Sequence, residues 1–205
     1  MNNLDLPISE IELPEGFEIP ALDGPFDASE YIRSTPVDAT LKGMFLQAFA
    51  NYARQAGKTL SCRQRFYAFN DMPLTQALEL AQETAERVHP ELPLAQGLRQ
   101  VGRILYPTFA SSVIGKVIFS AATERLGTRI ELAPQAIEAC LSHGKLVVER
   151  PDDGSALLRL SDSTLFTECI PVGVVEGMLG AARRPGIVAS RVHSLTEIEI
   201  FVRWQ

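Results

Sequence analysis

Dense, paired cysteine is missing from this chain: Cys62, Cys140 and Cys169 are three in 205 residues, odd in number and far apart. A disulfide framework needs an even, closely spaced set in an oxidising compartment. These three therefore read as reduced thiols acting as small hydrophobes. No stretch of about 18 apolar residues occurs, so no transmembrane helix is expected. The first residues are acidic, with neither a basic n-region nor an apolar h-region; a secretory signal is not expected, and the expected compartment is the cytoplasm.

Concentrated positive charge is missing as well. The net charge is −6, and residues 1–30 hold eight acids with no Lys or Arg, leaving 17 acids against 19 bases in the rest. A nearly neutral body thus follows an acidic leader, without the basic face of a nucleic-acid binder. With 46% hydrophobic and 21% charged residues, the composition is that of a globular chain able to bury one sizeable core.

The motifs of common chemistries are also absent. Gly115-Lys116 imitates the tail of a phosphate-binding loop, but Ala110 stands where its first glycine belongs and Val117 replaces the metal-binding hydroxyl. There is no Gly-x-Gly-x-x-Gly after a strand, no Gly-x-Ser-x-Gly elbow and no His-Glu-x-x-His helix. His89, His143 and His193 fall near helix ends or a turn, where a metal site would need several of them to converge with acids or thiols. No catalytic residue, metal or cofactor is assigned.

What is present is mostly periodicity. Residues 1–34 form an acidic leader punctuated by Pro7, Pro14, Pro20 and Pro25, which oppose helix. Its apolar Leu6, Ile8, Ile11, Leu13, Phe17, Ile19 and Leu22 allow either a solvated tail or an arm anchored on the body or on a partner. Residues 35–205 read as a single α+β domain. In its helical part, 35–144, the spacing predicts helices over about 37–54, 73–88, from 93 to about 106, 109–126 and 134–142. The small residues Gly97, Gly102, Ala110, Ser111 and Gly115 suggest that the third and fourth helices cross in contact. The part 145–205 reads strand–strand–helix–strand–strand: strands at 146–150 and 156–160 around a Pro-Asp-Asp-Gly turn, a helix at 165–183, then strands at 187–192 and 196–204. The expected architecture is a helical half packed on one face of a four-stranded antiparallel sheet.

A few side chains stand out as candidates. Arg99 and Arg103 are i, i+4 neighbours near Tyr106, so two guanidiniums and a phenol share a helix side that is either a ligand site for an anionic or planar molecule or a polar face paired to acids. Cys169 falls near a helix start, where the dipole favours a thiolate, and Cys140 lies three residues before His143; the competing reading for both is core packing. Phe17, Ile19 and Trp204 are candidate interface anchors, Trp204 on the last strand being either core or a contact with a partner.

From about Thr35 onward the chain resembles a family of uncharacterised proteins found as many paralogues in myxobacteria. The resemblance rests on Thr35-Pro36-Val37-Asp38-Ala39-Thr40-Leu41-Lys42-Gly43-Met44-Phe45, on Gly97-Leu98-Arg99-Gln100-Val101-Gly102-Arg103, and on residues 106–116, 172–179 and Val202-Arg203-Trp204. These motifs are structural in kind, and the resemblance implies no activity. The hairpin–helix–hairpin plan of the last sixty residues is similar to the ligand-binding half of vinyl-reductase-type and haem–nitric-oxide-binding domains, sensory modules with a pocket between helices and sheet. A haem-binding member would carry an axial histidine and a Tyr-x-Ser-x-Arg propionate clamp; that triplet does not occur here.

The expected function is non-catalytic binding: a sensory or adaptor domain in bacterial signalling or cell organisation, with a protein partner or self-association, a small-molecule ligand as an option, and neither nucleic acid nor membrane. The alternatives are a structural subunit of a homo-oligomer with Trp204 at its interface, and a thiol-based enzyme or redox sensor using Cys169 or Cys140.

Overall fold

The computed structural model describes residues 12–62, 64–121 and 125–205. Leu6, Ile8 and Ile11 of the leader lie outside the described residues.

The first half is helical. Helix α1 spans Ala28–Ser34, where proline punctuation predicts extended chain. Asp27 makes the difference: its carboxylate accepts from the backbone N–H of Ser29 and Glu30, satisfying donors that a helix start leaves open. Strand β1 (Thr40–Lys42) pairs antiparallel with β2 (Asp71–Pro73). Helix α2 therefore begins at Gly43 and runs to Gln55, several residues later than the periodicity predicts. Helix α3 (Leu74–Val88) and α4 (Leu94–Arg103) follow, each entered from a proline in extended conformation.

The long helix predicted over 109–126 is instead broken into α5 (Leu105–Ser111), α6 (Val113–Ile118) and a short 3-10 turn (Phe119–Ala121). Ser112 is the break: it adopts an extended ψ of 164°, and its hydroxyl accepts from the N–H of Gly115 as an N-cap. Helices α7 (Leu126–Glu131) and α8 (Ala133–Cys140) complete the half.

In the second half β3 (Lys145–Asp152), β4 (Ser155–Ser161), β5 (Gly186–Ser194) and β6 (Glu197–Trp204) form one antiparallel sheet in the order β3-β4-β6-β5. Helix α9 (Ile170–Ala182) is shorter than its predicted 165–183. Phe166 is left-handed (φ 43°), and the Thr167 hydroxyl donates to the carbonyls of Ser163 and Leu195, so residues 163–169 make tight turns before Pro171 opens the helix.

Strand alternation assigns two faces. Ala156, Leu158, Leu160, Val188, Ile198, Ile200 and Val202 turn inward against Val172, Val175 and Met178 of α9. The other side of the sheet carries Leu157, Phe201 and Ala189, next to the row Arg159–Glu199–Arg191. The leader lies on that outer side. Phe17 packs on Phe201 and Ala189 beneath the guanidinium of Arg191, and Glu18 exchanges backbone hydrogen bonds with Ser190 at 3.0 and 2.8 Å. The edge of β5, a template for pairing with another chain, is thereby partly occupied by the chain's own arm.

The close helix crossing also differs from expectation. Of the small residues of α4, Gly102 faces α9 and Gly97 faces Ala85 of α3, not the fourth predicted helix. A Cβ at Gly173 would fall 2.1 Å from the carbonyl oxygen of Arg99, and one at Gly177 2.3 Å from that of Arg103. Glycine is what lets these backbones touch.

Candidate functional site

A cavity of about 130 Å³ lies between the helices and the inner face of the sheet. Phe45 of α2, Leu105, Tyr106 and Phe109 of α5, and Ala136, Ile137 and Cys140 of α8 supply its helical wall. Leu158, Leu160 and Ile200 form its sheet floor, and Pro171, Val174, Val175 and Met178 of α9 close it. Tyr106 is held by ring contact with Phe119, which meets Phe109 edge-on at 5.6 Å. The break at Ser112 is what turns the chain so that Phe119 returns to this wall. The tight turns after β4 aim Ser163 and Leu165 at the same space. Apart from Tyr106, Cys140, Ser163 and the thioether of Met178 the lining is hydrocarbon. Its volume approximates that of an engineered core cavity of about 150 Å³ that binds benzene or xenon, and lies below the roughly 300–1,000 Å³ of a drug-sized site.

The candidates from the sequence are dispersed around this space. Tyr106 lines it. Arg99 and Arg103 are brought together, but on Glu176 of α9: Arg99 donates through two nitrogens to both carboxylate oxygens, and Nε of Arg103 donates at 2.8 Å. Nη1 of Arg99 reaches further, to the carbonyl of Pro20 in the leader, at 2.7 Å. Burial pushes the Glu176 carboxyl up, yet hydrogen bonds from Arg99 and Arg103 outweigh it and hold the group below its ordinary range. Sequence reasoning did not single out Glu176, although it is the one charged residue within α9. A lone acid on an apolar helix was the available signal.

Cys169 is fully buried at the N-cap of α9 and is not among the cavity residues. Burial, then the charge of Glu168, pushes its thiol up, opposite to the lowering that a helix start favours. Cys140 does line the cavity, and burial pushes it up to about 12. Its neighbour His143 sits by the Ser142 hydroxyl and Asp38. His89 bonds to the Tyr52 hydroxyl, and His193 to Glu199 on the outer side of the sheet. Among the described residues no group of three His, Cys, Asp or Glu is placed to hold a metal ion, and no helix is long and apolar enough to cross a membrane. Phe17 is buried on the sheet while Ile19 is more than half exposed, and Trp204 lies 5.9 Å beneath the guanidinium of Arg150.

Solved structures share this arrangement. An H-NOX protein from S. oneidensis in the Fe(II)NO ligation state superposes with a TM-score of 0.62 at 10% identity, covering 80% of this chain and 99% of that one. An Fe(II) unliganded H-NOX protein from K. algicida gives 0.59 at 10% identity over 80% and 97%. An oxygen-binding H-NOX domain related to soluble guanylate cyclases gives 0.56 at 10% identity over 80% and 92%. At such identities the likeness shows a shared fold, with helices over a four-stranded antiparallel sheet. Iron in those proteins raises the question of haem here, and the residues do not fit it. Among the described residues no His, Lys or Arg lines the cavity, burial pushes the Cys140 thiol up, away from the thiolate that would ligate iron, and the space is too small. No curated protein matches the chain. The model of one family, described as a protein of unknown function (DUF2378), matches residues 35–205, and the chain belongs to that family.

Proposed function

We propose that this chain is a non-catalytic sensory or adaptor domain that takes a small apolar ligand, without haem, between its helices and sheet. The observation that carries this is the hydrocarbon-lined cavity at the junction of α5, α8, α9 and the sheet, within a fold that H-NOX proteins use around Fe(II). Apolar burial without directed polar groups favours a compact hydrophobic molecule or the end of an acyl chain. Helix α9 gives the site an output: Val174, Val175 and Met178 wall the cavity, and Glu176 on the same helix holds Arg99, which holds the leader. Filling the cavity shifts α9 and loosens or tightens the leader, a surface that a protein partner can read.

Native mass spectrometry of the protein purified from cells, followed by denaturing mass measurement of the same sample, tests the reading. Extra mass lost on denaturation, together with no tight absorbance band on adding haemin, is the expected result. A stoichiometric haem complex would overturn it.

A further inference from the structure

We propose a second ligand site, for a phosphate-bearing small molecule, in an arginine-lined cavity where α7 meets the β3–β4 turn and the end of β6. The cavity measures about 490 Å³ and is lined by Arg125, Arg150 and Arg184 with Trp204, Gly127 and Asp153. That size lies within the range of small-molecule sites, and unlike the apolar cavity it is lined by charged side chains. Guanidinium forks match phosphate oxygens in geometry and charge.

Arg150 is already oriented. It donates to Glu131 at 2.8 Å and to the backbone oxygen and carboxylate of Asp153 at 3.3 and 3.4 Å, and it lies over the Trp204 ring. A Cβ at position 127 would fall 2.6 Å from its Cζ, so glycine makes room for the guanidinium. The Nε of Arg150 is buried with no acceptor among the described residues, so the side chain meets the pocket through its outer nitrogens. Glu131 and Asp153 offset the charge of Arg150. Three arginines against these two acids leave one positive charge in excess: Arg125 has no ion pair among the described residues, and Arg184 reaches the backbone oxygen of Gln205 at 3.3 Å. The pocket therefore favours an anion rich in oxygens over a cation.

Trp204 is the chain's one tryptophan, so its fluorescence reports on this pocket alone. Titrating the full chain with pyrophosphate is expected to change that emission saturably, with a midpoint that rises as salt is added. Arg125→Gln and Arg184→Gln, both at exposed side chains, each weaken the response about tenfold, and the double variant abolishes it with its thermal unfolding unchanged. Arg33→Gln on α1 leaves it as it was. Calorimetry on the same samples registers binding to which the indole is blind. No saturation by either readout up to about 1 mM, the weak end of specific affinity, overturns the proposal. So does a response kept by the double variant, or one that sulfate reproduces equally.

Discussion

Arg99 and Glu176 join α4 to α9 through a two-pronged ion pair at the point where glycines let the two backbones touch. The same arginine ties the leader to the helix pair through Pro20. The pair is mostly buried, and its anchors set how α9 sits against the cavity.

Glu176→Gln is expected to cost about 2 kcal/mol, short of the 3–5 kcal/mol of a fully buried pair because Arg103 is half exposed. The sign of the pH dependence follows from its lowered carboxyl. The stabilisation is fully present above the ordinary value of 4.5 and is lost as pH falls below it. Glu199, held at about 2 because hydrogen bonds from His193, Arg159 and Arg191 outweigh its burial, adds a contribution over the window from about 4.5 to 2. That contribution is about 1 kcal/mol once the screening of its half-exposed arginines is allowed for. Urea unfolding at pH 7 and pH 3 checks both: the Glu176→Gln penalty shrinks at the lower pH.

Two glycines of α9 should respond in opposite ways to alanine. At Gly173 the new Cβ would lie 2.1 Å from a backbone oxygen, whereas at Gly180 nothing lies within 4 Å. Gly173→Ala forces α4 and α9 apart and costs about 1–3 kcal/mol. Gly180→Ala gains roughly 0.5–1 kcal/mol from helix propensity. Thermal unfolding of the two variants side by side checks this.

The fold was legible in the sequence to the extent that it follows from periodicity. Alternation from Glu197 to Trp204 marks the last strand, and the apolar spacing of Leu74, Ala77, Leu78 and Ala81 marks α3. What was not legible depends on contacts distant in sequence. The pairing of Thr40–Lys42 with Asp71–Pro73 removes the start of α2, and a serine cap divides a run that otherwise reads as one helix. The cavity could not be read because its residues are the same apolar types as the core. The Arg99–Arg103 pair was visible, but its partner lies more than seventy residues away.

The leader is expected to dock reversibly. Phe17→Ala removes the ring that packs on Phe201 and under Arg191. The backbone bond from Ser190 N–H to Glu18, 2.8 Å long, then opens more often. Hydrogen exchange at Ser190 should speed up about tenfold or more, while exchange at Val202 in the sheet centre stays unchanged. Equal acceleration at both would mean that the ring supports the whole domain.

Thiol reactivity separates the three cysteines. Cys62 is half-buried, whereas Cys140 and Cys169 are buried with thiols pushed up. Alkylation at pH 7 in the native state is expected at Cys62 alone, with the other two reacting only after unfolding. Rapid native modification of Cys169 would favour thiol chemistry over ligand sensing.

The apolar cavity is tested most directly by a thermal-shift titration with benzene, comparing the natural chain with Ala136→Phe, which places a ring inside the lining. A ligand that binds only the folded state raises the unfolding midpoint with concentration. A benzene-dependent rise in the natural chain, absent from Ala136→Phe, is the predicted result. No rise in the natural chain, or an equal rise in both proteins, would contradict a ligand site between helices and sheet.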